Sequence, residues 1–238
     1  MLAGITKTER IIELFGRQIV SGEYAPGSAL PSENELCAEF DTSRNIIREA
    51  VKVLSAKRLI DAQRHRGLFV MPREGWNYLD SDVLRWALEK DGGDRALIAA
   101  LNDVRSVVEP AIGRWAAECA TAMDLAHIEM ALNDMEKHAS GGDKDAFNEA
   151  DIRFHKAVLA AARNPVMLQL ADAISALQRA IFDRTFLNSE ALIQLTLEQH
   201  KDLFEAIRYK DGAAAEAASL TMIRRTARRM LERDQAKA

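Results

Sequence analysis

The chain has 238 residues, of which 48% are hydrophobic and 29% are charged, and its net charge is −4. This composition is typical of a globular protein with one large domain or two small ones, and it excludes a disordered chain. Apolar runs stay well below the roughly 20 residues of a membrane span, and charged residues near the N-terminus argue against a secretory signal. Cys37 and Cys119 are too few for a disulfide framework, so we predict a reducing, cytoplasmic location.

Charge is unevenly distributed along the chain. Residues 42–73 contain eight cationic and two anionic side chains, a local charge of +6 that leaves −10 for the remainder. A basic segment of this kind is either a solvated surface or a nucleic-acid contact, and charge alone does not decide between them. The secondary structure that carries these cations therefore matters.

The chain begins with helical patterns. Residues 5–22 repeat apolar side chains at helical spacing and predict an amphipathic helix, and residues 23–31 follow as a loop marked by proline and glycine. Ser32, with Glu35 three residues later, predicts a capping box that starts a short helix ending near Phe40.

A second short helix is predicted from Thr42 or Ser43 to about Lys57. Its apolar residues repeat at helical spacing, and its cationic and amide side chains lie on the opposite side. Two short helices joined by a tight turn, the second rich in surface arginine, are typical of a helix-turn-helix. The predicted buried face comprises Ile46, Ile47, Ala50, Val51 and Leu54, and the predicted DNA-facing side comprises Arg44, Asn45, Arg48 and Lys52.

A basic hairpin is predicted after this helix. Residues 59–62 and 68–71 have the composition of two strands, and Arg64-His65-Arg66-Gly67 lies in the turn between them. A basic hairpin behind a helix-turn-helix is typical of a wing, which reaches the minor groove or the phosphates.

The character of the sequence changes near residue 72. Residues 72–94 predict a linker with one short helix that ends at Gly92-Gly93. Bulky apolar side chains in this segment are expected to pack between two domains: Trp76, Tyr78, Leu84 and Trp86.

The remaining sequence shows helical periodicity, which predicts about six helices with breaks near Thr121, 140–142, 164–165, 188–189 and 211–212. The predicted fold is therefore mainly α: an N-terminal winged helix-turn-helix followed by an all-α helical bundle. The predicted boundaries are 1–75 for the winged helix, 76–93 for the linker and 94–238 for the bundle.

A cluster of titratable residues stands out in the bundle. Asp151 and His155 are four residues apart, so they share one helix face, where they form either an ordinary hydrogen bond or part of a metal site. His200 lies on another helix, and a lone histidine there is usually a core or boundary residue. Together the three make a one-carboxylate, two-histidine set that suits a transition metal with open positions.

Two arginines lie among apolar neighbours, Arg105 in LNDVRSVVEPAI and Arg179 in ISALQRAIF. Each is either a surface arginine with a packed stem or a planar clamp for a carboxylate. Glu109 and Arg184 are weaker candidates for the same site.

Taken together, these motifs resemble a known family. The order and spacing of P-S-E-N-E-L, S-R-N-I-I-R-E-A, R-L-I and R-G-L-F-V resemble the winged helix of GntR-family regulators. The D-x-x-x-H of Asp151 and His155, then His200, with the R-x-x-x-E of Arg105 and Glu109, resemble the helical, FCD-type effector domain of the FadR subfamily. The likeness covers nearly the whole chain.

The resemblance implies a homodimeric, cytoplasmic transcriptional repressor that binds double-stranded operator DNA and no membrane. It implies a divalent metal, zinc or similar, held by Asp151, His155 and His200, and an effector bound by these three with Arg105 and Arg179. The implied DNA contacts are Ser32, Asn34, Ser43, Arg44, Asn45, Arg48, Arg66 and Gly67.

Two residues depart from the family pattern. Met222 aligns with a position where many members have a further histidine, so the metal site has at most three protein donors. Asn34 replaces an arginine found in many relatives, which removes one DNA contact or changes the base that is read.

A narrower likeness lies in SRNIIRE, REGWNYLDSDVL, VEPAIGRWAAE, FNEADIRFH, LQRAIF and LTMIRR, which are similar to family members that respond to D-galactonate. This implies that the effector is that sugar acid. Three alternatives remain open: a regulator of another acid (lactate, glycolate, a uronate or a fatty acyl group), a metal-dependent sugar-acid enzyme, and an architectural DNA-binding protein whose bundle only dimerises.

Overall fold

The computed structural model describes residues 5–89, 95–185 and 190–236. These residues form eleven α-helices and two short strands, which confirms the mainly α prediction. The chain divides into two compact units, Met1–Asp94 and Arg95–Ala238. Within the described ranges, no helix has the length and apolar character needed to cross a membrane.

Three helices open the first unit: α1 (Lys7–Ser21), α2 (Glu33–Glu39) and α3 (Arg44–Ala56). The predicted capping box is present, because the Ser32 side chain accepts from the Glu35 backbone and the Glu35 side chain reaches back to Ser32. The inner face of α3 is as predicted, except that Ile46 is only half-buried; its buried residues are Ile47, Ala50, Val51 and Leu54.

The predicted wing is present, and each strand begins or ends one residue from the predicted bound. Strands β1 (Ile60–Gln63) and β2 (Gly67–Val70) pair antiparallel, with Ile60 opposite Val70. The left-handed conformations of His65 and Gly67 turn the chain between them. Ala29, in the loop before α2, bridges to Phe69 and extends the sheet.

The segment expected to be a linker lies against the winged helix. Helix α4 (Ser81–Glu89) packs on α1, where the Trp86 ring covers Gly16. Arg85 donates two hydrogen bonds of 2.8 and 2.7 Å to the Glu13 carboxylate. Trp76 Nε1 donates to the carbonyl of Met71 at 2.8 Å. Trp76 and Trp86, expected to pack between domains, make these contacts inside the first unit.

The second unit is a helical bundle, as predicted. Its described helices are α5 (Arg95–Cys119), α6 (Ala122–Gly141), α7 (Lys144–Ala161), α8 (Pro165–Leu168), α9 (Ala171–Thr185), α10 (Glu190–Arg208) and α11 (Gly212–Ala236). There are seven rather than about six, because Asn164 caps α8 as a separate short helix. The breaks predicted at Thr121, 140–142 and 211–212 are found, whereas those at 92–93 and 188–189 lie outside the described residues.

The bundle core positions the site. Aliphatic and aromatic side chains of α5, α6, α7, α10 and α11 form one continuous cluster that includes Phe147, Phe154 and Leu203. Helices α5 and α11 approach closely at Gly113, where a Cβ would lie 3.0 Å from the Ala215 carbonyl oxygen. The polar residues described next lie beside this cluster.

Candidate DNA-contact surface and effector cavity

The predicted DNA contacts all lie on the surface of the first unit. Helices α2 and α3 and the wing expose Ser32, Asn34, Ser43, Arg44, Asn45, Arg48, Arg66 and Gly67, which we call the DNA-contact surface. The apolar face of α3 is buried beneath it, so the helix is fixed in place while its arginines remain in solvent.

Two arginines of this surface have described partners. Arg48 forms a 2.9 Å ion pair with Glu33 of α2, although 61% of its side chain is exposed. The guanidinium of Arg66 lies 5.7 Å from the centre of the Phe69 ring. The hydroxyl of Ser43, the residue immediately before α3, makes no capping hydrogen bond with that helix.

The second unit contains a cavity of about 90 Å³, which we call the effector cavity. Five helices contribute side chains to it, because α5, α7, α9, α10 and α11 converge there. Its lining residues are Arg105, Phe147, Asp151, His155, Gln178, Phe182, Leu192, Ile193, Thr196, Gln199, His200, Met222, Thr226 and Arg229.

The predicted metal-ligand set is assembled in this cavity. One donor atom each from Asp151, His155 and His200 lies within 4.8 Å of the others. His200 Nε2 is 2.8 Å from Asp151 Oδ1, and His155 Nε2 is 3.8 Å from the same oxygen. The closer carboxylate–imidazole pair is thus the one between helices, and the pair one turn apart on α7 is the looser one.

The hydrogen bonds of His200 leave an acceptor-rich centre. Its Nδ1 lies 2.7 Å from the Thr196 carbonyl oxygen, which can only accept, so Nδ1 carries a proton. Its Nε2 faces the Asp151 carboxylate and, at 3.3 Å, His155 Nε2. With Nδ1 protonated, the Nε2 lone pair of a neutral His200 faces the Asp151 carboxylate, and two such acceptors need a proton or a cation between them. A backbone carbonyl that orients the far nitrogen is also usual for a metal-bound histidine, so the residues fit a divalent metal.

The charges of the cluster favour the same chemistry. Burial acts to raise the pKa of Asp151, but the hydrogen bond and charge of His200, then the charges of His155 and Arg105, bring this pKa below its ordinary value. Burial lowers the pKa of His155, and Asp151 opposes that effect. At neutral pH the site therefore has an ionised carboxylate and a neutral imidazole, both able to bind a cation.

Arg105 is buried, which excludes the surface alternative. Its side chain is 7% exposed, and it forms an ion pair with Glu109, one turn later on α5, through Nε at 2.5 Å and one terminal nitrogen at 3.3 Å. The edge of the guanidinium formed by Nε and Nη2 is therefore already bound to Glu109. The other terminal nitrogen, Nη1, can donate to the carboxylate of a ligand in the cavity.

Arg179 does not belong to the cavity, contrary to expectation. It pairs with Glu149, both side chains are about half exposed, and it is absent from the cavity lining. The reason is the rotation of α9, which turns Gln178 inward and the next residue outward. The side chain of Arg184, the weaker candidate, lies outside the described residues.

Several cavity residues were not predicted. Met222 was expected, and it does line the cavity beside the donor set. Gln178, Gln199, Thr196, Thr226 and Arg229 were missed. The signal for two of them was helical spacing, since Thr196 precedes His200 by one turn and Thr226 follows Met222 by one turn.

Two family models match this chain, one in each unit. Residues 7–70 match the bacterial regulatory proteins of the gntR family, and residues 100–225 match the FCD domain. The galactonate operon transcriptional repressor of Escherichia coli K12 is 59% identical over 228 residues, 96% of this chain and 98% of that protein.

Two solved structures have the same fold. Streptococcus agalactiae GntR is 28% identical with a TM-score of 0.51, covering 93% of this chain and 99% of that one. Lar, which controls the expression of the Listeria monocytogenes agr system, has a TM-score of 0.67 at 18% identity, covering 96% and 98%. At that identity the likeness to Lar shows the fold alone.

These matches are to transcriptional regulators, which removes the metal-dependent enzyme from consideration. Regulators of this kind bind operator DNA and small-molecule effectors, and the two sites of this chain lie in the two matched regions. The chain therefore belongs to the GntR family of bacterial transcriptional regulators, with an FCD domain following its winged helix-turn-helix.

Proposed function

We propose that this protein is a cytoplasmic, homodimeric repressor of genes for D-galactonate breakdown, and that D-galactonate releases it from its operator. The observation that carries the proposal is the gathering of a buried arginine, a carboxylate and two imidazoles in one cavity of the FCD domain. These groups suit an acid with a neighbouring hydroxyl. The relative that represses the galactonate operon supports the choice of acid.

In this proposal residues 1–75 bind DNA, residues 76–93 link the two domains, and residues 94–238 bind the effector and dimerise. A dimer presents two α3 helices to successive major grooves of a palindromic operator. Arg44, Asn45 and Arg48 read bases or clamp phosphates, and an arginine–guanine contact gives about 1–3 kcal/mol of discrimination.

The other residues of the DNA-contact surface contact the DNA backbone and the minor groove. Ser32, Asn34 and Ser43 lie at the starts of α2 and α3, and Arg66 and Gly67 lie on the wing. The ion pair of Arg48 with Glu33 is exposed, and exposed pairs are weak, so DNA can take this arginine from its partner at little cost.

In the effector cavity, Asp151, His155 and His200 would hold a divalent metal such as zinc. When bound, that ion supplies positive charge for the carboxylate and α-hydroxyl oxygens of the effector. Met222 offers only a neutral, weakly coordinating thioether, so the protein provides three strong donors and leaves positions for the acid. Arg105 adds a charge-assisted hydrogen bond, whereas Arg179 is too far out on the surface to do so.

Release from DNA requires that the effector bind one arrangement of the dimer better than another. The shift in operator affinity is limited to that difference in effector affinity. A tightly bound acid with equal affinity for both arrangements would not induce.

Gel shift with the operator fragment tests the proposal. D-Galactonate at millimolar concentration should release the wild-type protein, whereas lactate, glycolate, a uronate and a fatty acyl ligand should not. Loss of release in EDTA would support the metal. Asp151→Asn should bind operator normally and ignore D-galactonate, and Asp172→Asn, whose side chain is 73% exposed on α9, should respond like wild type.

DNA binding that ignores every acid would overturn the effector assignment and favour an architectural protein. Release by a uronate or lactate in place of D-galactonate would make the protein a regulator of that acid. Failure to bind operator at low salt would overturn the DNA-contact surface itself.

A further inference from the structure

Two buried glutamines in the effector cavity have polar atoms without partners. Gln178 on α9 is 5% exposed and Gln199 on α10 is 6% exposed, and both line the cavity. Among the described residues, neither Oε1 nor Nε2 of Gln178 finds a hydrogen-bond partner, and neither does Nε2 of Gln199.

Such atoms are uncommon in folded proteins. Buried polar groups almost always have a hydrogen-bond partner, because an unpartnered one keeps the full penalty of losing water. Two glutamines from different helices sharing this condition beside one cavity indicate that their partner comes from inside it.

The amide group restricts what that partner is. Its oxygen accepts and its nitrogen donates, whereas a carboxylate oxygen only accepts and an alkyl chain does neither. A hydroxyl both donates and accepts, so it can satisfy either end of the Gln178 amide. The opposite chemistry lies with Arg105 and the Asp151–His155–His200 set, which suit the carboxylate end of a ligand.

We propose that Gln178 and Gln199 are specificity-determining residues that bind the hydroxyl groups along the chain of a polyhydroxy acid. This rests on the proposed function and deepens it: the effector has a carboxylate at one end and several hydroxyls beyond it. Lactate and glycolate lack those distal hydroxyls and leave the glutamines unpartnered, so they bind more weakly.

Isothermal titration of the full-length protein with D-galactonate, D-gluconate and glycolate tests this inference. Gln178→Leu and Gln199→Leu remove the amide without breaking a described hydrogen bond, so the fold is retained, as operator binding without ligand will show. Each should weaken D-galactonate binding about tenfold, the value of one good hydrogen bond. Glycolate binding should stay within about twofold of wild type, because the carboxylate end is untouched. Gln194→Leu, an exposed glutamine on α10 outside the cavity, is the matched control.

The outcomes separate this inference from the proposed function. If wild type binds D-galactonate and both cavity variants bind it equally well, the glutamines do not set specificity although the effector is right. If wild type ignores D-galactonate but binds D-gluconate, and the variants lose D-gluconate, the glutamine assignment is supported and the choice of acid is wrong. Glycolate binding as tight as that of D-galactonate, or binding of no acid, overturns the inference.

Discussion

Gly16 lies on α1 beneath the ring of Trp86, and its replacement by alanine should weaken the packing of α4. A Cβ at this position would lie 2.3 Å from Cζ3 and 2.4 Å from Cη2 of Trp86, where ordinary contacts are 3.4–4 Å. The ring has to retreat by more than ~1 Å. It is only 4% exposed, so a close-packed interior surrounds it.

Two effects of opposite sign set the magnitude. Overpacking of a buried site costs about 1–3 kcal/mol. Alanine improves on glycine in a helix by about 1 kcal/mol, so Gly16→Ala should be destabilising by up to about 2 kcal/mol. Gly141, at the end of α6, has open space where its Cβ would be, so Gly141→Ala should be stabilising by up to about 1 kcal/mol.

Hydrogen exchange measures the effect locally, which is necessary because the two units need not unfold together. Peptides from α1 should exchange faster in Gly16→Ala than in wild type, and peptides from α6 should not exchange faster in Gly141→Ala. In a Trp86→Leu background the cost of Gly16→Ala should disappear, because the clash is with the indole ring. The packing argument would be refuted if α1 were equally protected in Gly16→Ala and wild type. It would also be refuted if Gly16→Ala destabilised the Trp86→Leu variant as much as it destabilises wild type.

Three further predictions concern pH, DNA and metal. The hydrogen bond from Arg85 lowers the pKa of Glu13 from 4.5 to about 2, so the pair stabilises the folded state above pH 4.5 and this contribution is lost as the pH falls toward 2. Because both side chains are over a third exposed, we expect about 1 kcal/mol, seen as a Tm gap between wild type and Glu13→Gln that is present at pH 7 and closes near pH 2. Arg48→Ala should weaken operator binding by about 1–3 kcal/mol in a gel shift. Arg114→Ala, which changes an exposed, ion-paired arginine of the second unit, should not weaken it. If Arg48→Ala and wild type bind the operator with equal affinity, Arg48 does not contact DNA. Zinc at a hundred times its Kd should stabilise wild type by about 2.7 kcal/mol, measured by thermal shift, and should leave the stability of His200→Gln unchanged. The control His127→Gln, at an exposed position, should respond to zinc like wild type. An equal shift in His200→Gln would place the ion elsewhere.

The first unit was largely predictable because its signals are local. A capping box is a relation between residues three apart, as at Ser32 and Glu35, and the buried face of α3 follows from helical spacing. The docking of α4 on α1 was not predicted. It depends on a glycine and a tryptophan 70 positions apart, and nothing near either residue indicates that they meet.

In the effector cavity, the Asp151–His155–His200 cluster was predictable and the glutamines were not. Asp151 and His155 are titratable residues one helical turn apart, and this spacing indicates that they lie side by side. On α9 the same attention to charge selected Arg179, although helix rotation about its axis places Gln178 in the cavity and the arginine in solvent. A sequence shows which side chains are charged, but it does not show which neutral amide has lost water without gaining a partner. That property exists only after helices from distant parts of the chain have packed, and our proposal of a polyhydroxy acid as the ligand rests on it.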